Sequence, residues 1–95
     1  MKIEREETGN KGSFFILHNN QQVALMTYKI DEPATLVILH TEVDEMLKGQ
    51  NVGRQLVEQA VQYARQNQLR IKPLCSFANA VLQKKKAEHA DVLEQ

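Results

Sequence analysis

An α+β domain built on a mixed, mostly antiparallel sheet is predicted by three observations on this 95-residue chain. Two alternating apolar runs flank Asn19 and Asn20, a pair able to enter the left-handed region that a tight hairpin demands. A run at residues 35–43, apolar and β-branched at its start, leads through a glycine-bearing loop into a helix-patterned segment. The run 69–75 (LRIKPLC) follows that helix at once, and this β-α-β order returns the second strand beside the first by a right-handed crossover.

Taken in order, residues 2–6 are short and charged, and Gly9, Asn10, Lys11 and Gly12 supply turn chemistry, so the first strand belongs at an edge. Residues 13–18 (SFFILH) and 22–30 (QVALMTYKI) make the hairpin. Asp31, Glu32 and Pro33 break the pattern before strand 35–43, whose apolar start places it centrally in the sheet. From Val52 onward Val52, Leu56, Val57, Ala60, Val61 and Ala64 recur at three- and four-residue spacing, with Asn67 and Gln68 as the stop. Pro73 restricts the next strand to pairing on one side, or splays it locally. Ser76 is expected to cap a second, C-terminal helix running from Phe77 to about Lys86. Residues 87–95 (AEHADVLEQ) read as a polar tail.

Composition excludes several function classes. The 12 Lys+Arg cancel the 12 Asp+Glu, which removes the broad basic footprint of a non-specific nucleic-acid binder. No apolar run approaches the roughly 18 residues that cross a bilayer, and MKIEREETG lacks the apolar core of a signal peptide. Cys75 stands alone, so neither an intramolecular disulfide nor a cysteine zinc cluster is expected, and His18 and His89 give no metal signature. The expectation is one cytoplasmic domain over residues 1–95, a monomer or weak dimer without nucleic-acid, membrane or metal partners.

The stretch 36–53 (LVILHTEVDEMLKGQNVG) carries the chemistry. A strand, a short loop with two glycines and a helix start gather backbone N–H groups in a manner suited to a pyrophosphate. Gly49 lets a phosphate approach the backbone, and Gly53 lets the helix pack close to strand or ligand. Lys48, Arg54 and the run Lys84, Lys85, Lys86 supply local positive charge. On spacing alone, ordinary loop and helix-start glycines explain Gly49 and Gly53 equally well.

The run L-K-G-Q-N-V-G-R-Q-L-V, residues 47–57, resembles the acetyl-CoA loop of the GNAT N-acetyltransferase superfamily. With H-T-E-V (residues 40–43) upstream and P-L-C-S-F (residues 73–77) downstream, the chain is similar to a small GNAT-like subfamily over about residues 14–94. That resemblance implies the GNAT acyl-CoA N-acyltransferase fold, acetyl-CoA as acyl donor and a primary amine as acceptor. It implies a cofactor-binding set of Val43, Lys48, Gly49, Gln50, Asn51, Val52, Gly53, Arg54, Ser76 and Asn79. Departures are visible: Lys48 stands where the superfamily has Gln or Arg, and Asn51 where it has the central loop glycine. Asn tolerates left-handed geometry, so the loop can form, with its side chain crowding the pyrophosphate and weakening CoA binding. Helices that usually frame the acceptor site are missing from the pattern, which implies an acceptor side open to an amine on a small molecule, a peptide or a protein.

Acetyl transfer needs a neutral amine, donors for the developing oxyanion and a proton for the departing thiolate. The resemblance implies that backbone N–H near Glu42 and Val43 polarises the thioester carbonyl. It also places Cys75 beside the acetyl group as a candidate nucleophile, its thiolate favoured by the start of the following helix; a small apolar filler is the competing reading. His40 and Glu42 share one strand face, and either relays a proton or serves only structure, with Glu42 preferred as base. Asn79 is either a cofactor contact or a solvent-facing helix residue. Lys84, Lys85 and Lys86 either complement the helix dipole or meet the CoA 3′-phosphate. The expected function is N-acetyl transfer from acetyl-CoA; the alternatives are a non-catalytic CoA-binding module and an interaction domain that binds no CoA.

Overall fold

The computed structural model describes residues 2–94. Five strands lie side by side in chain order in one sheet, antiparallel except for the last pair, which is parallel. Strands β1 (Glu4–Thr8), β2 (Lys11–His18) and β3 (Gln21–Asp31) form a meander. Asn19 and Asn20 turn the β2–β3 hairpin at φ 51° and 63°, the left-handed pair that a two-residue turn requires. Lys11 and Gly12 prove to be strand rather than turn. A Cβ on Gly12 would fall 2.5 Å from Cζ of Tyr28 and 2.9 Å from the Glu6 carbonyl, so the missing side chain makes room for a buried ring.

Strand β4 (Thr35–Val43) is internal, although β3 is the middle strand. Strand β5 (Arg70–Pro73), shorter than expected, pairs with β4 only over Thr35, Leu36, Val37 and Ile38. Between them runs α1 (Val52–Gln66), whose Val52, Leu56, Val57, Ala60, Val61 and Ala64 are all buried. They pack with Phe14, Ile16, Met26, Tyr28, Leu36, Ile38 and Ile71 of the sheet. Each large aliphatic or phenyl side chain among them contributes about 1.5–3 kcal/mol on withdrawal from water, before entropy is counted. The amphipathic period of the sequence is therefore the face that holds the helix to the sheet.

Helix α2 (Ser76–Lys84) is followed by the short α3 (Lys86–His89). Ser76 is the first helical residue, not the cap. Cys75 precedes the helix in extended conformation, and no side chain caps the turn. Residues 87–94 also differ from a polar tail: His89, Val92 and Leu93 are buried. Ile71 donates its N–H to the Val92 carbonyl at 2.6 Å, and Glu94 donates to the Ile71 carbonyl at 2.8 Å, so this segment covers the outer edge of β5. Arg65 of α1 clamps it through paired bonds to Asp91 at 2.6 and 3.0 Å, which hold the Asp91 carboxyl below its usual range. Among the described residues no helix is long and apolar enough to cross a membrane, and no cluster of His, Cys, Asp and Glu is arranged for a metal ion.

Candidate acyl-carrier site

The site begins where β4 and β5 part. Leu74 and Cys75 both donate their backbone N–H to the Ile38 carbonyl, at 3.0 and 3.2 Å. Beyond that shared acceptor, residues 40–43 of β4 pair with β3 alone. A bulge accompanies the separation: Tyr28 faces Ile38 and Thr27 faces His40, leaving Leu39 unpaired. One extra residue resets the alternation of side chains. Leu36 and Ile38 point to α1, and after the bulge Thr41 and Val43, opposite Met26 and Ala24, take that face. His40 and Glu42 consequently share the opposite, exposed face, with His40 Nε2 3.4 Å from Glu42 Oε1.

The chain leaves β4 through a 3₁₀ turn, Glu45–Leu47, capped by the Asp44 carboxylate accepting from the Met46 N–H at 3.0 Å. Leu47 is buried and anchors the loop. Gly49 then takes φ 84° and Asn51 takes φ 58°, ψ 28°, immediately before α1. A Cβ on Gly49 would meet nothing within 4 Å, so its glycine serves the backbone conformation and an open approach. The first helical bond runs from the Gln55 N–H to the Asn51 carbonyl at 3.0 Å. It follows that the N–H groups of Val52, Gly53 and Arg54 have no helical acceptor, and those of Gly49 and Asn51 have none among the described residues. The Asn51 side chain makes no cap bond either. Unsatisfied donors together with the positive end of the helix dipole favour negative charge at this point of the loop.

These amides border a cleft of about 380 Å³. Val43, Leu47, Lys48, Gly49, Asn51, Val52, Gly53 and Arg54 form one side, and Phe77, Val81, Lys84 and Lys85 form the other. Gly53 fixes their approach, because a Cβ there would lie 2.6 Å from the Phe77 ring. Cys75, half-buried, sits at the start of α2 with Sγ 3.5 Å from Thr41 Oγ1. Burial raises the thiol pKa. Bonds from the Thr41 hydroxyl and the Ala78, Phe77 and Thr41 backbone N–H groups outweigh it, and the net shift is downward.

A strand splay, a glycine-bearing loop and a row of free amides at a helix start agree with what is found among known proteins. The sequence model of the GCN5-related N-acetyltransferase family matches residues 13–92. The chain belongs to this family. The solution structure of a GCN5-like protein from Staphylococcus aureus is 36% identical, with TM-score 0.73, over 96% of this chain and 87% of that one. Two acetyltransferase structures containing acetyl-CoA share the fold. One, from Clostridium acetobutylicum, is 16% identical with TM-score 0.63 over 78% of this chain; the other, from Bacillus anthracis, is 22% identical with TM-score 0.60 over 86%. This chain spans only 55% and 48% of those two proteins. No curated protein matches significantly.

Within this GCN5-related N-acetyltransferase, seven cofactor-binding candidates from the sequence meet in the cleft: Val43, Lys48, Gly49, Asn51, Val52, Gly53 and Arg54. Gln50 belongs to the same loop, its carbonyl accepting from Gln55 Nε2 at 3.1 Å. Ser76 and Asn79 do not line the cleft; Asn79 Oδ1 instead accepts from Gln83 at 3.4 Å along the exposed side of α2. Sequence reasoning missed Thr41, Phe77, Glu58 and His89. The Gly53 spacing signals a close neighbour without naming Phe77, and the bulge that turns Thr41 toward Cys75 leaves no mark in the residue types.

Proposed function

We propose that this protein transfers an acetyl group from acetyl-CoA to a primary amine. The N–H groups of Gly49, Asn51, Val52, Gly53 and Arg54, unpartnered among the described residues and beside a splayed strand pair, carry this reading, because they offer fixed donors to a diphosphate. The pantetheine arm, itself bearing amides, runs along the unpaired edge of residues 39–43, where backbone groups lack a second strand. The backbone N–H near Glu42 and Val43 polarises the thioester carbonyl. Carrier and acceptor meet from opposite faces of the sheet: the loop and α1 hold the carrier, while Glu42 and His40 stand on the open face. There Glu42, paired with His40, accepts the proton that the attacking amine releases.

Cys75 lies close enough to Thr41 to join this chemistry. Its lowered pKa favours a thiolate that attacks the thioester, forms an acetyl-enzyme and releases CoA, after which the amine displaces the thiolate. Direct attack by the amine is the second reading, favoured by the open face around Glu42. Cys75→Ala separates them: with the covalent route, turnover falls about a hundredfold or more, on the order of 3 kcal/mol, while CoA affinity is retained. Unchanged turnover assigns Cys75 to packing. The thiolate exists above its pKa, so the covalent route also predicts a rate that climbs with pH and levels off below the usual thiol value of 9.0.

Calorimetry with CoA, paired with an amine-dependent thiol-release assay over small amines, peptides and proteins, tests the function itself. Binding with amine-dependent release is expected. Binding without release from any acceptor class would favour a CoA-binding module.

A further inference from the structure

The cleft holds more positive charge than one diphosphate uses. Arg54 stands in the first turn of α1, and Lys84 and Lys85 line the facing wall at the end of α2. The chain as a whole is neutral, so the concentration is local. The acid in the same cleft, Glu58, is engaged: its Oε1 lies 3.2 Å from Nε2 of the buried His89. His89 Nδ1 lies 3.2 Å from the Leu82 carbonyl, within the turn that carries Lys84. These two contacts tie the lysine-bearing end of α2 to α1. Lys85 Nζ is 3.9 Å from Glu88, and Lys84 has no carboxylate within 4.0 Å among the described residues. Dipole complementarity accounts for lysines in a last helical turn, but not for both of them bordering the cleft.

We infer that Lys84 and Lys85 form a second anion subsite that reads the 3′-phosphomonoester of the carrier, separate from the amides that hold its diphosphate. The inference rests on the acetyl-CoA reading above. A phosphomonoester carries a charge of about −1.5 to −2 at neutral pH. Lysine meets it as a compact charge on a flexible stem, which suits a group at the mouth of a cleft, whereas rigid backbone donors suit the diphosphate deeper in. The lysine pair thereby makes the site selective for CoA over the same carrier without its terminal phosphate.

Isothermal titration of the wild type and of Lys84→Gln/Lys85→Gln with CoA and with 3′-dephospho-CoA tests this. Wild type is expected to bind dephospho-CoA about tenfold more weakly than CoA, the scale of two exposed charge contacts. The double variant is expected to bind both carriers alike, at the wild-type affinity for dephospho-CoA. Equal wild-type affinity for the two carriers, or discrimination that survives in the double variant, overturns the subsite and leaves the acetyl-CoA reading standing. No heat from either carrier with wild type overturns that reading, and the subsite with it.

Discussion

The two ends of the sheet treat their polar groups in opposite ways. At the β1 end, the rings of Phe14, Tyr28 and Tyr63 meet with centroids 5.4 to 6.2 Å apart, and the Arg5 guanidinium lies 4.3 Å over Tyr63. The Tyr28 hydroxyl donates to Glu7 at 2.7 Å and accepts from Arg5 at 3.0 Å, so a buried polar atom is fully engaged. At the β5 end, the strands separate, Gly49 and Asn51 adopt positive φ, and the amides that open α1 have no acceptor among the described residues. A buried or cleft-facing N–H without a partner costs free energy that a folded chain ordinarily avoids. The contrast therefore separates what stabilises this domain from what it leaves open for a carrier.

That contrast is sharpened first by Gly12→Ala. Its Cβ would strike both the buried Tyr28 ring and the Glu6 backbone, so we expect a loss of about 1–3 kcal/mol in chemical denaturation, with CoA affinity of the folded protein unchanged. A variant of wild-type stability would show that the closed end yields more readily than its packing indicates. At the open end the order of effects reverses. Asn51→Gly removes a side chain from the mouth of the loop while keeping its left-handed backbone, so stability should change by no more than about 0.5 kcal/mol and CoA should bind severalfold more tightly. Weaker binding would make the Asn51 side chain a ligand contact.

The smallest effect is a titration. Burial and the bond to Glu7 push the Tyr28 hydroxyl up to about 12, against the lowering influence of Arg5. A phenol raised above its free value of 10.0 contributes its stability fully below pH 10 and loses it as the pH passes through about 12. Phenolate absorbance should therefore include one step near pH 12, and alkaline unfolding should develop over that window. A Tyr28 ionising at pH 10 would contradict the closed end's solvation.

Much of this is legible in the amino-acid sequence. Strand 35–43 agrees with β4 residue for residue, the helix period gives the buried face of α1, and Asn19–Asn20 marks the hairpin, because each rests on local chemistry of several residues. Seven of the cleft residues could be read from one loop, since a single segment builds that wall. The bulge at Leu39 could not: one inserted residue reverses which side chains face α1 without changing composition. Neither could the C-terminal segment, where Val92, Leu93 and His89 are sparse among polar residues. Their burial depends on the free edge of β5 and on Glu58, distant in sequence. By residue type Ser76 reads as a cap, whereas the chain bends one residue earlier, where Cys75 and Leu74 converge on Ile38.

Backbone amide NMR during titration with CoA tests the central contrast most directly. The resonances of Gly49 and of residues 51–54 are expected to move to saturation, while Gly12 and Tyr28 at the closed end stay in place. Saturating CoA that leaves residues 49–54 unmoved, or that shifts both ends alike, would contradict the assignment of these free amides to an acyl carrier.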